Sequence, residues 1–335
     1  WYKRFMLACI VFSPALLEVY SMLWSETLFL LLLMLFTIAM KKYLERTEMK
    51  WLIISAILVS LACVTRYAAI VLIGIGLFLI FFEGKPAWGK RIRYCIYFGI
   101  ISILLLAVNL VRNEMVMHFA TGERQKSTSS LLKNMEYFGG VLSDWLLIQR
   151  KPALSITLTV LVLLIFLVSM LWCYFRRKTR RRYEYIAAAT GFFYCLFMLT
   201  SATLSRYEQF TSRLLSPMFI PMIWCAGFWL PSYVSQKKPA FRLLFTFAAL
   251  GAVSVFIVLQ LSADFETYDG VKDAGIPGYF EDPFPQSEVV QFLKAYKREF
   301  RPGYPIYSNA GDAVYLFTGL TAKLLPPDGL PDEIR

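Results

Sequence analysis

Apolar residues dominate residues 1–262 and fall into about nine stretches separated by polar connections. A helix crosses the hydrocarbon core of a bilayer with about 20 mostly apolar residues, and about 17 are enough in some cases. The third and fourth stretches are shorter, and they predict a tight helical hairpin folded around Thr65–Tyr67. The pattern predicts an α-helical polytopic membrane protein. Its predicted spans are Phe5–Tyr20, Trp24–Met40, Trp51–Val64, Ala68–Phe82, Tyr94–Val111, Pro152–Phe175, Tyr185–Leu204, Leu214–Leu230 and Phe241–Leu261.

The connection 112–151 carries a second kind of apolar pattern. Its apolar residues recur at spacings of three and four, as on one face of a helix. Two arrangements fit this amphipathic segment, and they are compatible: a helix lying in the membrane interface, or a helix packed on the ends of the bundle. The apolar positions are Leu131, Leu132, Met135, Phe138, Val141, Leu142, Trp145 and Leu146, and the polar ones include Lys133, Glu136 and Asp144.

Residues 263–335 are polar and rich in proline, which predicts a separate C-terminal α/β domain that we expect to continue beyond Arg335. Ser287 is a good helix N-cap and Glu288 favours the positive end of a helix dipole. The predicted elements are a helix over Ser287–Phe300, a strand over Pro305–Ser308, a helix over Gly311–Phe317 closed by Gly319, and a strand over Ala322–Leu325.

Basic residues cluster in every second connection, which orients the predicted spans. Short basic loops stay in the cytoplasm. Trp1 is therefore predicted to lie inside, and the connections around Thr65–Tyr67, 112–151 and 205–213, with the tail from Ser262, are predicted to be extracytoplasmic at the plasma (inner) membrane. The net charge of +12 then reports topology and does not indicate nucleic-acid binding. The clusters are Lys3–Arg4, Lys41–Lys50, Lys85–Arg93, Arg176–Arg182 and Lys237–Arg242.

The cysteines, the single histidine and the first residue add little chemistry. All six cysteines lie in or at the ends of apolar stretches, without metal-ligand spacing, so no metal site is predicted. Cys63 precedes Arg66 by three residues near the predicted outer face, where membrane transpeptidases of the exosortase type use Cys, Arg and His. The only histidine, His118, lies in a different loop. Because the chain opens at Trp1 within an apolar stretch, we expect further spans upstream.

Ionisable residues near the extracytoplasmic ends of the spans are the candidate site. Charge at membrane depth is costly, so such residues usually face a cavity or a partner. Positive-inside bias disfavours arginine on this face, yet three arginines are found there, and arginine binds phosphate in a bidentate manner. We expect a site for an anionic lipid head group, with Glu26 and Glu208 as partners of the arginines. The predicted substrate-binding residues are Glu26, Arg66, Tyr67, Arg206, Tyr207 and Arg213.

Several short motifs resemble one family of membrane enzymes. Ser25-Glu26 opens a span after Ser13-Pro14 and Tyr20-Ser21, and Leu61–Tyr67 reads LACVTRY. Arg213–Pro217 reads RLLSP before Pro221, and Tyr307–Tyr315 is followed by Thr318-Gly319. In this order the motifs resemble the GT-C superfamily, which includes protein O-mannosyltransferases and the lipid A aminoarabinose transferase. The closer likeness is to bacterial members grouped with glycosyltransferase family 39.

The resemblance implies a cell-envelope glycosyltransferase that uses a polyprenyl-phosphate-sugar donor and an acceptor that is a lipid, a glycan or a protein. It implies a catalytic aspartate in the first extracytoplasmic loop, which by this topology precedes Trp1, and it leaves divalent-metal dependence open. Arg66, Arg206 and Arg213 would bind the lipid phosphate. The alternatives are a lipid-linked saccharide transporter or a polysaccharide polymerase or ligase, and a structural scaffold. A transporter predicts broken mid-membrane helices, and a scaffold needs no extracytoplasmic arginines.

Overall fold

The computed structural model describes residues 2–21, 24–117, 120, 121, 127, 129–175, 183–205, 209–234, 238–274, 285–300, 305–308 and 310–324. The chain is mostly helical, at 84%, with little sheet. It divides into two compact units, Trp1–Asp264 and Phe265–Arg335. The helical fold class predicted from the apolar pattern is confirmed.

Five described helices are long and apolar enough to cross a membrane: Ser25–Arg46, Trp88–Val116, Pro152–Phe175, Tyr183–Leu204 and Pro239–Glu266. Met49–Thr65 and Tyr67–Glu83 are apolar but shorter. These helices support a membrane protein, while the count of nine spans and their orientation stay predictions. The helices up to residue 274 are α1 (Tyr2–Val11), α2 (Pro14–Ser21), α3 (Ser25–Arg46), α4 (Met49–Thr65), α5 (Ile70–Glu83), α6 (Trp88–Met117), α7 (Leu131–Trp145), α8 (Pro152–Phe175), α9 (Tyr183–Leu204), α10 (Ser212–Val234) and α11 (Pro239–Ala274).

The first predicted span is broken, which corrects the single helix expected over Phe5–Tyr20. α1 ends at Val11, and α2 begins at Pro14. A proline has no backbone N–H and disfavours the helical conformation of the residue before it, so a helix ends there readily, whereas the first position of a new helix tolerates it. The carbonyl of Ser13 accepts the N–H groups of Leu16 and Leu17 at 3.0 and 2.8 Å, which starts the second helix.

The chain interrupts its helix at Arg66, as the predicted hairpin requires. Arg66 has φ −148° and ψ 130°, and a 3₁₀ turn over Tyr67–Ala69 leads into α5. α4 packs mainly on α3 and α6, whereas α5 packs mainly on α6 and α9. The two short helices therefore share α6 as a neighbour and have few contacts with each other.

α7 packs on the helical bundle through one face. Phe138, Val141 and Trp145 on this face are buried, while Leu131 and Leu132 are exposed. A Cβ added to Gly139 would lie 1.7 Å from the carbonyl oxygen of Ser155, so α7 and α8 meet backbone to backbone at this glycine. The bundle-packed arrangement of the amphipathic segment is confirmed, and its contact with the membrane interface stays a prediction.

α11 continues to Ala274, past the boundary at residue 262 that the polar composition predicts. No proline occurs between Pro239 and Pro277, so nothing in the sequence forces the helix to end where it becomes polar. The helix that contains the last predicted span therefore extends beyond it, because helical backbone continues where the apolar residues stop.

The second unit contains a small parallel β-α-β arrangement. β1 (Ile306–Ser308) pairs in parallel with β2 (Ala322–Leu324), and α13 (Gly311–Thr318) connects them. α13 closes at Gly319, whose φ of 71° suits glycine. Before these elements in the chain, α12 (Glu288–Ala295) is capped by Ser287, whose hydroxyl accepts the N–H of Val290 at 3.3 Å. The helix expected to reach Phe300 ends sooner, because a 3₁₀ turn over Lys297–Glu299 replaces its last turn.

Candidate ligand-binding site

Glu26 binds two arginines from distant parts of the chain. Its Oε1 pairs with Nη1 of Arg66 and lies 3.1 Å from Nε of Arg213. Its Oε2 accepts a hydrogen bond from the hydroxyl of Ser25 at 3.2 Å. Glu26 is buried, with 3% of its surface exposed. The expectation that Glu26 serves as a partner for nearby arginines is confirmed.

Three helix ends bring these charges together. Glu26 lies in the first turn of α3, where the helix dipole favours a negative charge. Arg66 is the extended residue between α4 and the 3₁₀ turn, and Arg213 is the second residue of α10. The side chain of Thr27 donates to the carbonyl of Val19 at 3.1 Å, which fixes the start of α3 against α2.

The two arginines differ in exposure. The side chain of Arg66 is 11% exposed and that of Arg213 is 30% exposed. A guanidinium is a planar fork of N–H donors that binds carboxylates and phosphates through paired hydrogen bonds. Two such groups meet at this point, so the chemistry of the site favours an oxygen-rich, anionic ligand.

A cavity of about 390 Å³ opens beside the charges. Its size is within the range of small-molecule sites, about 300–1,000 Å³. The guanidinium carbon of Arg213 lies 5.2 Å from the ring centre of Trp24, a cation–π distance that orients Arg213 at the cavity wall. The lining residues are Trp24, Ser25, Glu26, Thr65, Arg66, Tyr67, Ala68 and Arg213.

Tyr67 connects the cavity to two asparagines that sequence reasoning missed. Its hydroxyl accepts hydrogen bonds from Nδ2 of Asn109 and Nδ2 of Asn113, each at 3.2 Å. Both asparagines lie on α6, four residues apart, and therefore share a helix face. The sequence shows this spacing of two polar residues within an apolar stretch, and the spacing indicates a shared polar face on the helix.

A chain of hydrogen bonds leads from the start of α10 into the bundle. Ser212 donates to the carboxylate of Glu18, which also interacts with the charge of Arg213. The indole N–H of Trp145 donates to the Ser212 hydroxyl at 3.1 Å, and the amide of Gln260 donates to the carbonyl of Trp145 at 2.9 Å. Glu18 is thus part of the surroundings of Arg213.

The structure brings Glu26, Arg66, Tyr67 and Arg213 together around the cavity. Arg206, Tyr207 and Glu208 lie outside the described residues, as does His118. Cys63 is buried, at 1% exposure, so its thiol is not presented to a ligand. Within the described part of the chain, no group of three histidine, cysteine, aspartate or glutamate residues could hold a metal ion.

Comparison of the chain with protein-family models, with curated proteins and with solved structures finds no match. The chemistry of the cavity and the pattern of the sequence are therefore the grounds for inferring a function. The cavity offers two arginines, a buried carboxylate that orients them, and a neutral polar wall at Tyr67. Such a set can bind a phosphoryl group through the arginines and neutral hydroxyl groups through the wall.

Proposed function

We propose that this chain is a membrane glycosyltransferase that binds a polyprenyl-phosphate-linked sugar and transfers the sugar to an acceptor at the extracytoplasmic face. The observation that carries the proposal is the convergence of Arg66 and Arg213 on one cavity through the shared carboxylate of Glu26. Two forked donors held by one buried acceptor form a rigid cradle for a phosphate. The sugar-transfer part of the proposal is supported by the motifs that resemble those of the GT-C superfamily.

The charge distribution along α3 supports an extracytoplasmic cavity. The helix begins at Ser25 beside the cavity and ends at Arg46 in a basic connection. At that far end Lys41 pairs with Glu45 at 3.2 Å, and the ammonium of Lys85 contacts the carbonyl of Glu45. Basic residues collect on the cytoplasmic side of a membrane protein, so the opposite end, with the cavity, would face outward.

The residues of the cavity have separate parts in the proposed reaction. An acceptor hydroxyl attacks the anomeric carbon, the bond from that carbon to the phosphate oxygen breaks, and polyprenyl phosphate leaves while a carboxylate base takes the hydroxyl proton. Arg66 and Arg213 stabilise the charge that develops on the departing phosphate. Glu26, bound to both arginines, orients them and is not the base.

Sugar transfer from a polyprenyl-phosphate donor, measured with the full-length enzyme, tests the proposal. We expect Arg213→Gln, and the paired change Glu26→Gln with Arg66→Gln, to reduce transfer at least tenfold, because each removes charged donors to the phosphate. The paired change removes both partners, so no buried charge is left alone. Arg150→Gln is the matched control, because Arg150 is an exposed arginine paired with Asp144 away from the cavity. Equal transfer by all four proteins would contradict the proposal.

A further inference from the structure

Tyr67 lines the cavity, and its hydroxyl is held by two amides of α6. Asn109 and Asn113 each donate to its oxygen at 3.2 Å, and Asn113 also donates to the carbonyl of Ala120 at 3.4 Å. A backbone carbonyl can only accept, so the NH₂ group of Asn113, and not its oxygen, must face Ala120. This contact fixes the orientation of the Asn113 amide. The three side chains form one polar group, which we name the amide cluster.

The amide cluster contributes little to the packing of the bundle. Tyr67 is 42% exposed, and both asparagines are only partly buried. The surrounding face of α6 is apolar, with Val108 and Val111 each more than half exposed. Polar side chains in an apolar span are costly unless they bind a partner, and inside membranes they commonly mark a substrate path.

Counting donors and acceptors shows what the amide cluster offers. The tyrosine oxygen has two lone pairs, and the two amides occupy both, so the O–H of Tyr67 can only donate. The carbonyl oxygens of Asn109 and Asn113 meet no hydrogen-bond donor among the described residues. Asn113 uses both of its N–H groups, whereas Asn109 uses one of its two on Tyr67. The cluster thus presents two donors, the O–H of Tyr67 and the second N–H of Asn109, and two acceptors. A sugar hydroxyl is both donor and acceptor, whereas a phosphate diester only accepts.

The position of Tyr67 relates the amide cluster to the phosphate cradle. Tyr67 follows Arg66 directly, and both line the same cavity. In a sugar phosphate the sugar is bonded directly to the phosphate, so a ligand with its phosphate at Arg66 brings sugar hydroxyl groups to the neighbouring wall. We propose that Tyr67, Asn109 and Asn113 form the subsite for the sugar of the lipid-linked donor. The inference rests on the proposed function for its phosphate.

Equilibrium binding in lipid nanodiscs tests the sugar subsite, with decaprenyl phosphate and its glucose and mannose esters as probes. We expect the wild-type protein to bind at least one ester more tightly than the bare lipid phosphate. The change Asn109→Leu with Asn113→Leu, and separately Tyr67→Phe, should lower affinity for that ester about tenfold, the effect of one or two hydrogen bonds, and leave affinity for the bare lipid unchanged. Thr157→Val on α8, an exposed position within another span, is the control.

The two lipids separate failure of the subsite from failure of the proposed function. If variants of the amide cluster keep the wild-type preference for the ester, or if the wild-type protein shows no preference, the sugar subsite is wrong. If the wild-type protein does not bind the bare lipid phosphate, the phosphate cradle itself is wrong. Methyl glucoside and methyl mannoside distinguish the sugar of the donor from an acceptor glycan. Competition with the ester supports the donor-sugar subsite, and simultaneous binding would overturn it.

Discussion

Glu26 and Arg66 form a buried ion pair between the start of one helix and the end of its neighbour. α3 begins one residue before Glu26, and α4 ends one residue before Arg66. The short connection between these helices makes them antiparallel neighbours, so the start of α3 lies level with the end of α4. Arg213 joins the pair from the first turn of α10. A carboxylate at this point therefore connects three segments of the chain.

Glu26 is the residue whose removal should affect stability most within the site. Glu26→Ala leaves the largely buried guanidinium of Arg66 without its partner, and loss of one member of a buried pair costs about 3–5 kcal/mol. We expect a large fall in the thermal midpoint of the purified protein in detergent. The paired change Glu26→Gln with Arg66→Gln should cost less, because no charge stays buried alone. Asp144→Asn, which breaks an exposed pair with Arg150, should have little effect. Equal stability of Glu26→Ala and the wild type would show that the ion pair does not support the fold.

Two adjacent glycines of α7 should respond oppositely to alanine. The added methyl of Gly139→Ala would overlap the backbone of Ser155, so α7 must move away from α8 and stability should fall. The methyl of Gly140→Ala meets its nearest atom, on Arg150, at 3.6 Å, an ordinary contact. Alanine favours a helix over glycine by up to about 1 kcal/mol, so this control should be neutral or stabilising. Thermal unfolding of the two variants side by side distinguishes them, and equal midpoints would contradict the close helix contact.

Trp145 should influence the site without touching a ligand. Trp145→Phe removes the hydrogen bond to Ser212, the residue directly before Arg213. A hydrogen bond contributes about 1 kcal/mol, so we expect affinity for polyprenyl phosphate to fall about fivefold if this bond positions Arg213. Trp88→Phe, a change of an exposed indole in the first turn of α6, is the control. Unchanged affinity with a lowered thermal midpoint would assign Trp145 to structure alone.

Orientation in the membrane can be tested by cysteine labelling. The alternation of basic connections predicts that Thr179 is cytoplasmic and that Asn309 is extracytoplasmic. After the six native cysteines are replaced, an impermeant maleimide should label Asn309→Cys in intact cells and Thr179→Cys only after lysis. Labelling of Thr179→Cys in intact cells would reverse the orientation and place the cavity on the cytoplasmic side.

The apolar pattern predicted the helical class and most of the helices because length and hydropathy are properties of each segment alone. Pro14 itself indicates the break between α1 and α2, because a proline disfavours a helix at the residue before it. Hydropathy alone does not show this break, because the residues on both sides of it are apolar. The position of α7 could not be predicted from hydropathy. Its contact with α8 depends on the close approach of the Ser155 backbone to Gly139, which the spacing of apolar residues does not indicate.

Part of the site could also be predicted, because some of its features are properties of single segments of the sequence. Glu26, Arg66 and Arg213 were found because charges are conspicuous at the ends of apolar stretches. Their pairing depends on how α3, α4 and α10 pack, which is a tertiary property. Asn109 and Asn113 were missed because a neutral amide barely changes the hydropathy of a span. Their spacing becomes informative only once Tyr67 is known to lie against the same face.

Binding of decaprenyl phosphate to the purified protein in nanodiscs, at low and high salt, tests the central claim most directly. The wild-type protein should bind it, and Arg213→Gln should bind it at least tenfold more weakly, because a charged hydrogen-bond donor to the phosphate is lost. Arg150→Gln should bind as the wild type does, since Arg150 lies away from the cavity and pairs with Asp144. Equal affinity of Arg213→Gln and the wild type at both salt concentrations would contradict the claim that the two arginines and Glu26 form a phosphate cradle.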